Sequence, residues 1–149
     1  MKTMQQFCTF SLGSLLFGVH VRSIQEVIRH QEMTRVPTAS AIVRGLINLR
    51  GQIVLSIDLH RRLGLAATAP EGDSINVIIR TNDRPMSLLV DQVGDILDLG
   101  DASLDPPPET IEPGIRQYLE GISKLPGRLL LVLNVDRLAD FDAAAPAAA

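Results

Sequence analysis

The chain has 149 residues, with 14 basic and 17 acidic side chains, so its formal net charge is -3. This charge argues against a nucleic acid or an anionic membrane surface as the main partner, because both require a basic surface. No apolar run approaches the roughly 18 residues of a membrane span, so we expect no insertion into a membrane. The single cysteine, Cys8, rules out an internal disulfide and a thiolate metal cage, which suits the reducing cytoplasm. Hydrophobic residues make up 46% and aromatic residues 3%, so an aliphatic core is expected, which favours strands.

The first segment has the pattern of a β-hairpin followed by a short helix. Polar and apolar residues alternate in 7–12, and a second apolar run, 15–21, follows a Gly-Ser turn. This arrangement predicts a hairpin. Residues 23–28 predict a short helix or tight turn, because Ser23 stands as an N-cap and Glu26, three residues later, completes a capping box.

A second hairpin is the clearest element in the sequence. Its arms are residues 45–49 and 52–58, with Arg50 and Gly51 at the tip. The segments predicted around it are a short strand at 31–36, a helical turn at 38–44, a helical turn at 59–63 and an alanine-, glycine- and proline-rich linker at 64–74.

The rest of the chain repeats this pattern. Residues 76–81, 86–90 and 93–97 repeat the first block at an offset of 69, and segment 121–139 repeats segment 45–63 at an offset of 76. The aligned pairs are Ile24/Val93, Glu26/Asp95 and Val27/Ile96 at the first offset, and Gly45/Gly121, Leu49/Leu125, Gly51/Gly127, Leu55/Leu131 and Arg61/Arg137 at the second. Since turn glycines coincide as well as core residues, we interpret the pattern as an internal duplication.

The duplication predicts a mainly β fold with two small five-stranded barrels and short helices. We expect one domain over 6–138, with barrel one at about 10–70 and barrel two at about 74–138. The N-terminal strand is open to sharing between the barrels, and an apolar seam should lie between them. Residues 100–115 contain three consecutive prolines and predict extended chain or loop. Residues 139–149 predict a low-complexity tail.

No pattern in the sequence indicates catalysis or metal binding. The three histidines lie in different elements without metal-ligand spacing, and we expect no catalytic residue, no metal ligand and no cofactor. Cys8 is interpreted as a buried core residue, and Asp58 and Asp91 as caps of the turns that follow their strands. Two alternatives stay open. They are a barrel module that binds a peptide or small ligand, and an enzyme that uses an aspartate with a histidine.

Arg50 is informative because its counterpart in the repeat is Pro126. Both hairpins keep a glycine next, Gly51 and Gly127, and we expect positive φ at both. The residue before the glycine differs, so the hairpin does not require arginine there. Arg50 could therefore bind a carboxylate or a backbone carbonyl of a partner through its planar guanidinium. The alternative is a solvated surface arginine.

The sequence resembles the CheW-type chemotaxis coupling proteins over roughly residues 6–138. The run Gly-Leu-Ile-Asn-Leu-Arg-Gly at 45–51 is similar to the characteristic hairpin of that family. Residues 7–19 resemble its opening hairpin, 21–28 its Val-x-Glu-Ile/Val helix, and 118–138 its closing segment. Leu55 and Ser87 depart from the proline and glycine common at those places in the family.

The resemblance implies two SH3-like β-barrels in a non-enzymatic adaptor. It implies that this adaptor couples the cytoplasmic tip of a chemoreceptor to the regulatory domain of the histidine kinase CheA. We expect a cytoplasmic protein recruited to membrane-associated receptor arrays. The departures suggest a divergent member, such as one serving pilus motility. The residues that the resemblance marks for partner binding, or for shaping that surface, are Ile24, Glu26, Val27, Asn48, Arg50 and Gly51.

Overall fold

The computed structural model describes residues 5–29, 32–35, 42–65, 75–81, 84–99 and 104–140. These residues form ten strands and three short helices. In chain order the elements are β1 (Gln6–Leu12), β2 (Leu15–His20), β3 (Ile24–Ile28), β4 (Val43–Leu49), β5 (Gln52–Asp58), α1 (Leu59–Arg62), β6 (Ile75–Ile79), β7 (Met86–Val90), β8 (Gln92–Asp98), α2 (Pro113–Arg116), β9 (Leu119–Leu125), β10 (Arg128–Leu133) and α3 (Val135–Ala139).

The strands form two five-stranded sheets with the same internal order. One sheet runs β3-β6-β7-β5-β4 and the other β8-β1-β2-β10-β9. Each sheet contains one parallel pair, β5 with β7 and β10 with β2, among antiparallel pairs. The expected mainly β fold of two five-stranded units with short helices is confirmed. We call the first sheet barrel one and the second barrel two.

The two halves of the repeat exchange their first hairpins. Under the repeat offsets, β1 and β2 correspond to β6 and β7, yet β1–β2 lies in barrel two and β6–β7 in barrel one. Barrel one therefore comprises strands from 24–90, and barrel two strands from 6–20 and 92–133. This division differs from the expected boundaries, 10–70 and 74–138. The connections explain the exchange, because only Asp91 separates β7 from β8 and one 3-10 turn, Val21–Ser23, separates β2 from β3.

The largest apolar core lies between the two barrels and confirms the expected seam. Phe10 and Phe17 of barrel two pack in it with Ile57 and Leu88 of barrel one, all fully buried. Each barrel also has a smaller core on the other face of its sheet. These are Ile47, Leu49, Val54 and Ile78 in barrel one, and Phe7, Leu130 and Val132 in barrel two.

Two paired glycines permit equivalent close contacts in the two barrels. Thr34 exchanges backbone hydrogen bonds with Leu46, and Asp105 exchanges them with Ile122, the repeat counterpart of Leu46. A Cβ on Gly45 would lie 2.7 Å from the Thr34 carbonyl oxygen, and one on Gly121 2.8 Å from that of Asp105. Gly45 and Gly121 are therefore required by the close approach of a neighbouring backbone segment.

The predicted helix at 23–28 is wrong, because residues 24–28 form strand β3. The β-branched residues Ile24, Val27 and Ile28 suit a strand, and β3 pairs with β6. The Glu26 side chain binds Arg50 instead of completing a capping box. Residues 43–44, expected in a helical turn, begin β4. Residues 38–41 of that turn, residues 66–74 of the linker, the tip of the β6–β7 hairpin and residues 141–149 lie outside the described residues.

Candidate functional site

The structure brings Glu26 and Arg50 together at the edge of barrel one. Arg50 Nη1 donates to Glu26 Oε2 at 2.7 Å, and Nη2 donates to Oε1 at 2.8 Å. The pair therefore has the bidentate geometry in which a guanidinium binds a carboxylate most specifically. The Arg50 side chain is 75% exposed, and that of Glu26 is 22% exposed. This ion pair joins the tip of the β4–β5 hairpin to β3.

The backbone of the hairpin tip is held in a tight turn. Arg50 has φ 52° and Gly51 has φ 88°, which is the pattern of a type I′ turn. The Asn48 side chain accepts a hydrogen bond from the Gly51 amide at 2.9 Å. Among the described residues, Arg50 is the only non-glycine with a positive φ. A left-handed arginine is strained, so the local contacts that hold it have a structural role.

The second hairpin tip has a different turn. Gly127 has φ 78°, which confirms the expected positive φ at both glycines. Pro126, however, has its φ fixed near -65° by its ring, so this tip follows the type II pattern. Arg50 and Pro126 therefore occupy turns of different types, although they align in the repeat. The first tip is a different structure, built around an arginine that reaches β3.

The ion pair shifts the titration of both partners. The hydrogen bond from Arg50 lowers the pKa of the Glu26 carboxyl, against a smaller opposing effect of desolvation. The same hydrogen bond raises the pKa of Arg50. Both groups therefore stay charged at neutral pH, and the guanidinium presents its remaining donors to solvent.

The other predicted site residues surround this pair in distinct roles. Val27, next to Glu26 on β3, is 40% exposed, whereas Ile24 packs against the inter-barrel core. Ile53, which the sequence reasoning missed, is 57% exposed beside the hairpin tip. The repeat could have identified Ile53, because Ile53 and its repeat partner Leu129 are both apolar and both lie two positions after the turn glycine. Two exposed apolar side chains thus lie on the two elements that the charged pair joins.

The two departures from the family pattern lie inside barrel one. Leu55 is partly buried against the inter-barrel core. Ser87 is fully buried and its hydroxyl donates to Asn76 Oδ1 at 2.9 Å. Neither residue belongs to the surface around Arg50, so the departures alter packing within the barrel.

His60 and Asp91 meet at the junction of the barrels. His60 Nε2 lies 2.9 Å from Asp91 Oδ1, and Asp91 Oδ2 accepts a hydrogen bond from the Gly13 amide at 2.7 Å. Asp91 thus binds another hairpin rather than capping its own turn, whereas Asp58 caps α1 through the Arg61 amide as expected. The His-Asp pair links α1 to the β1–β2 hairpin.

This pair has the contacts of a structural link between elements. His60 is almost fully buried, and the described residues contain no group of three potential metal ligands. Cys8 is buried as expected, and burial raises the pKa of its thiol, which disfavours the thiolate. No described helix is long and apolar enough to cross a bilayer.

Comparisons with known proteins agree with this architecture. A family model described as a CheW-like domain matches residues 6–142. The chain is 29% identical over 137 residues to the chemotaxis protein CheW of Treponema pallidum, covering 89% of this chain and 81% of that protein. It is 30% identical over 132 residues to CheW of Rhizobium meliloti, covering 89% and 85%.

A solved structure is also similar over nearly the whole fold. It is the scaffolding protein TtCheW from Thermoanaerobacter tengcongensis, with a TM-score of 0.81 and 28% identity. The match covers 91% of this chain and 88% of that chain. The two-barrel fold and the match to the family over most of its length lead to one conclusion: this chain belongs to the CheW-like family of non-enzymatic chemotaxis scaffold and adaptor proteins.

Proposed function

We propose that this chain couples the cytoplasmic tip of a chemoreceptor to the histidine kinase CheA. The observation that carries the proposal is the bidentate Glu26–Arg50 pair, held on an exposed hairpin of a CheW-like scaffold. Exposed Val27 and Ile53 lie on the two elements that the pair joins. Buried aromatic or arginine anchors with apolar neighbours are the usual centres of protein-protein contacts. The protein acts as a scaffold. It presents separate binding surfaces, and their weak affinities combine through multivalency in an array.

Each residue of the site has a proposed part in partner binding. Val27 and the outer face of Arg50 contact the partner. Glu26, Asn48 and Gly51 hold the Arg50 turn in its shape, and Ile24 fixes β3 on the core. The receptor's helical hairpin docks at the junction of the barrels, and the regulatory domain of the kinase pairs with one barrel. The complex assembles on the cytoplasmic side of receptor arrays.

Capture of a receptor tip fragment by the purified chain tests this proposal. Arg50→Glu should weaken capture at least about tenfold, because it removes the anchor and repels Glu26. Arg137→Glu, which reverses an exposed arginine on α3, should leave capture unchanged. Circular dichroism of each variant confirms that the chain is folded.

A charge exchange separates recognition from support. The double variant Glu26→Arg/Arg50→Glu restores an ion pair between β3 and the hairpin but reverses the charge that the tip presents. If the receptor tip fragment binds Arg50 directly, its capture stays weak in the double variant. Full recovery would mean that the pair only shapes the surface. Unchanged capture by Arg50→Glu itself would contradict the proposed site.

A further inference from the structure

Asp91 lies where the chain crosses from one barrel to the other. It is the only residue between β7 of barrel one and β8 of barrel two. Its backbone amide donates to the Ser11 carbonyl at 3.1 Å, and its Oδ2 accepts from the Gly13 amide at 2.7 Å. Its other carboxylate oxygen, Oδ1, lies 2.9 Å from His60 Nε2 on α1, which directly follows β5 of barrel one. One carboxylate therefore holds one group from each barrel.

The geometry makes His60 the donor in its contact with Asp91. An ionised carboxylate only accepts hydrogen bonds, so the 2.9 Å contact places a proton on His60 Nε2. The His60 side chain is 5% exposed, whereas that of Asp91 is 25% exposed. Among the described residues, none provides a hydrogen-bond partner for His60 Nδ1. Within this part of the chain, Asp91 alone therefore fixes the orientation and the tautomer of the buried ring.

The repeat shows that the fold requires neither residue at these positions. At the offset of 69, the counterpart of Asp91 is Arg22, which lies in the other crossover between the barrels, Val21–Ser23. At the offset of 76, the counterpart of His60 is Asp136, which is exposed on α3. An arginine cannot accept these hydrogen bonds, and an ionised aspartate cannot donate one. The His60–Asp91 contact is therefore specific to one crossover, and the duplicated fold forms the other without it.

The contact lies beside apolar residues that are only partly covered. Leu15 begins β2 two residues after Gly13, and Val93 lies on β8 two residues after Asp91. Both are half-buried and pack against the core between the barrels. Apolar burial is non-directional, whereas hydrogen bonds depend on distance and direction. The bonds of Asp91 therefore fix the arrangement of the barrels at this place more narrowly than apolar packing does.

A second tie joins α1 to barrel two at a different point. Arg62, two residues after His60, donates to the carbonyls of Leu138 and Asp140, on and just after α3. This tie and the apolar core remain when the carboxylate of Asp91 is removed. Loss of that carboxylate should therefore change the angle between the barrels while leaving them in contact.

We propose that Asp91 is a positioning residue for the partner that docks at the junction of the barrels. By binding both His60 and Gly13, its carboxylate sets the angle between the barrels and the spacing of Leu15 and Val93. Molecules without this carboxylate sample several angles, and only a fraction of them accept the partner, so the apparent affinity falls. The inference rests on the proposed coupling function and adds a residue that acts away from the surface around Arg50.

Two measurements on the chain alone test the positioning role. Nitrogen-15 NMR should show the proton of the His60 ring on Nε2 in the wild-type chain, and Asp91→Ala should lose this preference. Spin labels at Gln52→Cys in barrel one and Lys124→Cys in barrel two, both exposed, report the distance between the barrels in a Cys8→Ala background. We expect a narrow distance distribution with Asp91 and a broader or shifted one in Asp91→Ala.

Capture of a receptor tip fragment tests the consequence for binding. Asp91→Ala should weaken capture at least about threefold, as expected for a residue that acts on a site without touching the partner. His60→Leu removes the donor and should weaken capture as well, whereas His60→Gln supplies an amide donor and should retain most of it. Ser87→Ala is the matched control, because it removes a buried hydrogen bond inside barrel one. It should leave capture unchanged, and melting temperatures show whether each variant is folded.

The proposal is overturned if Asp91→Ala keeps the wild-type distance distribution or, while folded, captures the fragment as the wild-type chain does. It is also overturned if Ser87→Ala weakens capture equally, because the loss would then be a general effect of lower stability. Absence of capture by the wild-type chain would contradict the proposed coupling and, with it, this inference. The NMR and distance measurements need no receptor, so they distinguish that failure from a failure of Asp91 to set the angle.

Discussion

Arg62 and Leu138 are counterparts in the repeat, and they contact each other. Arg62 Nε donates to the Leu138 carbonyl at 3.0 Å, which joins α1 of the first copy to α3 of the second. Arg62 also donates to the Asp140 carbonyl at 3.2 Å, and its guanidinium lies 5.1 Å from the centre of the Tyr118 ring. Burial lowers the pKa of Arg62. One buried arginine thus binds the last helix to the rest of the protein.

Replacement of Arg62 by methionine should destabilise the protein by about 2 kcal/mol. The variant loses hydrogen bonds from a charged donor to two carbonyls while keeping an apolar stem of similar length. Urea unfolding measures the change. Arg128→Ala, at an exposed position at the start of β10, should change stability by less than about 0.5 kcal/mol. Equal effects of the two variants would contradict the role assigned to Arg62.

Two neighbouring buried serines should respond in opposite ways to alanine. Ser56 and Ser87 are register partners on β5 and β7 and are both fully buried. The Ser56 hydroxyl has no hydrogen-bond partner among the described residues, whereas that of Ser87 binds Asn76. Ser56→Ala should therefore stabilise the protein by roughly 1 kcal/mol, and Ser87→Ala should destabilise it by roughly 1 kcal/mol. Thermal unfolding distinguishes the two, and a destabilised Ser56→Ala would refute this assignment.

The backbone contacts at Gly45 should be sensitive to a single methyl group. An alanine Cβ would lie 2.7 Å from the Thr34 carbonyl oxygen, so the Thr34–Leu46 bridge would have to move. We expect a loss of about 2 kcal/mol or more. Gly64→Ala is the control, because Gly64 has a positive φ but open space around its Cβ position. It should cost only about 1 kcal/mol, the strain of a left-handed alanine.

Much of the fold follows from local sequence, and the differences arise from distant contacts. Both arms of the β4–β5 hairpin and the Asp58-capped turn after it have strong local patterns and were predicted correctly. Segment 23–28 was not, because pairing with β6, some fifty residues away in sequence, decides between helix and strand. The sequence repeat likewise does not predict the hairpin exchange, because it relates the two copies but does not determine which sheet each hairpin joins.

Only part of the site was predicted from the sequence, because the rest of it also depends on contacts between distant segments. Glu26 and Arg50 were both identified, but their mutual ion pair depends on how β3 meets the hairpin tip in three dimensions. The arginine expected to be free for a partner therefore uses two of its donors within its own chain. Ile53 was missed because its exposure depends on how the barrel closes around β5.

Acid should weaken the link between β3 and the hairpin tip. Arg50 lowers the pKa of Glu26 in the folded state, so this carboxylate adds stability that is fully present above its unfolded pKa of about 4.3. That stability is lost as the pH falls through the lower folded pKa. In Glu26→Gln the acid-dependent loss should be smaller over this range, which unfolding at a series of pH values measures. An identical pH dependence in the two proteins would show that the pair contributes nothing to stability.

The proposed coupling of a chemoreceptor to CheA predicts that this chain changes kinase activity in co-sedimented assemblies. Receptor and kinase are combined with wild-type chain, with Arg50→Glu, or with no chain. We predict that the wild-type chain co-sediments and changes kinase activity, and that Arg50→Glu gives values close to those without the chain. No co-sedimentation of the wild-type chain and no change in kinase activity would contradict the coupling function.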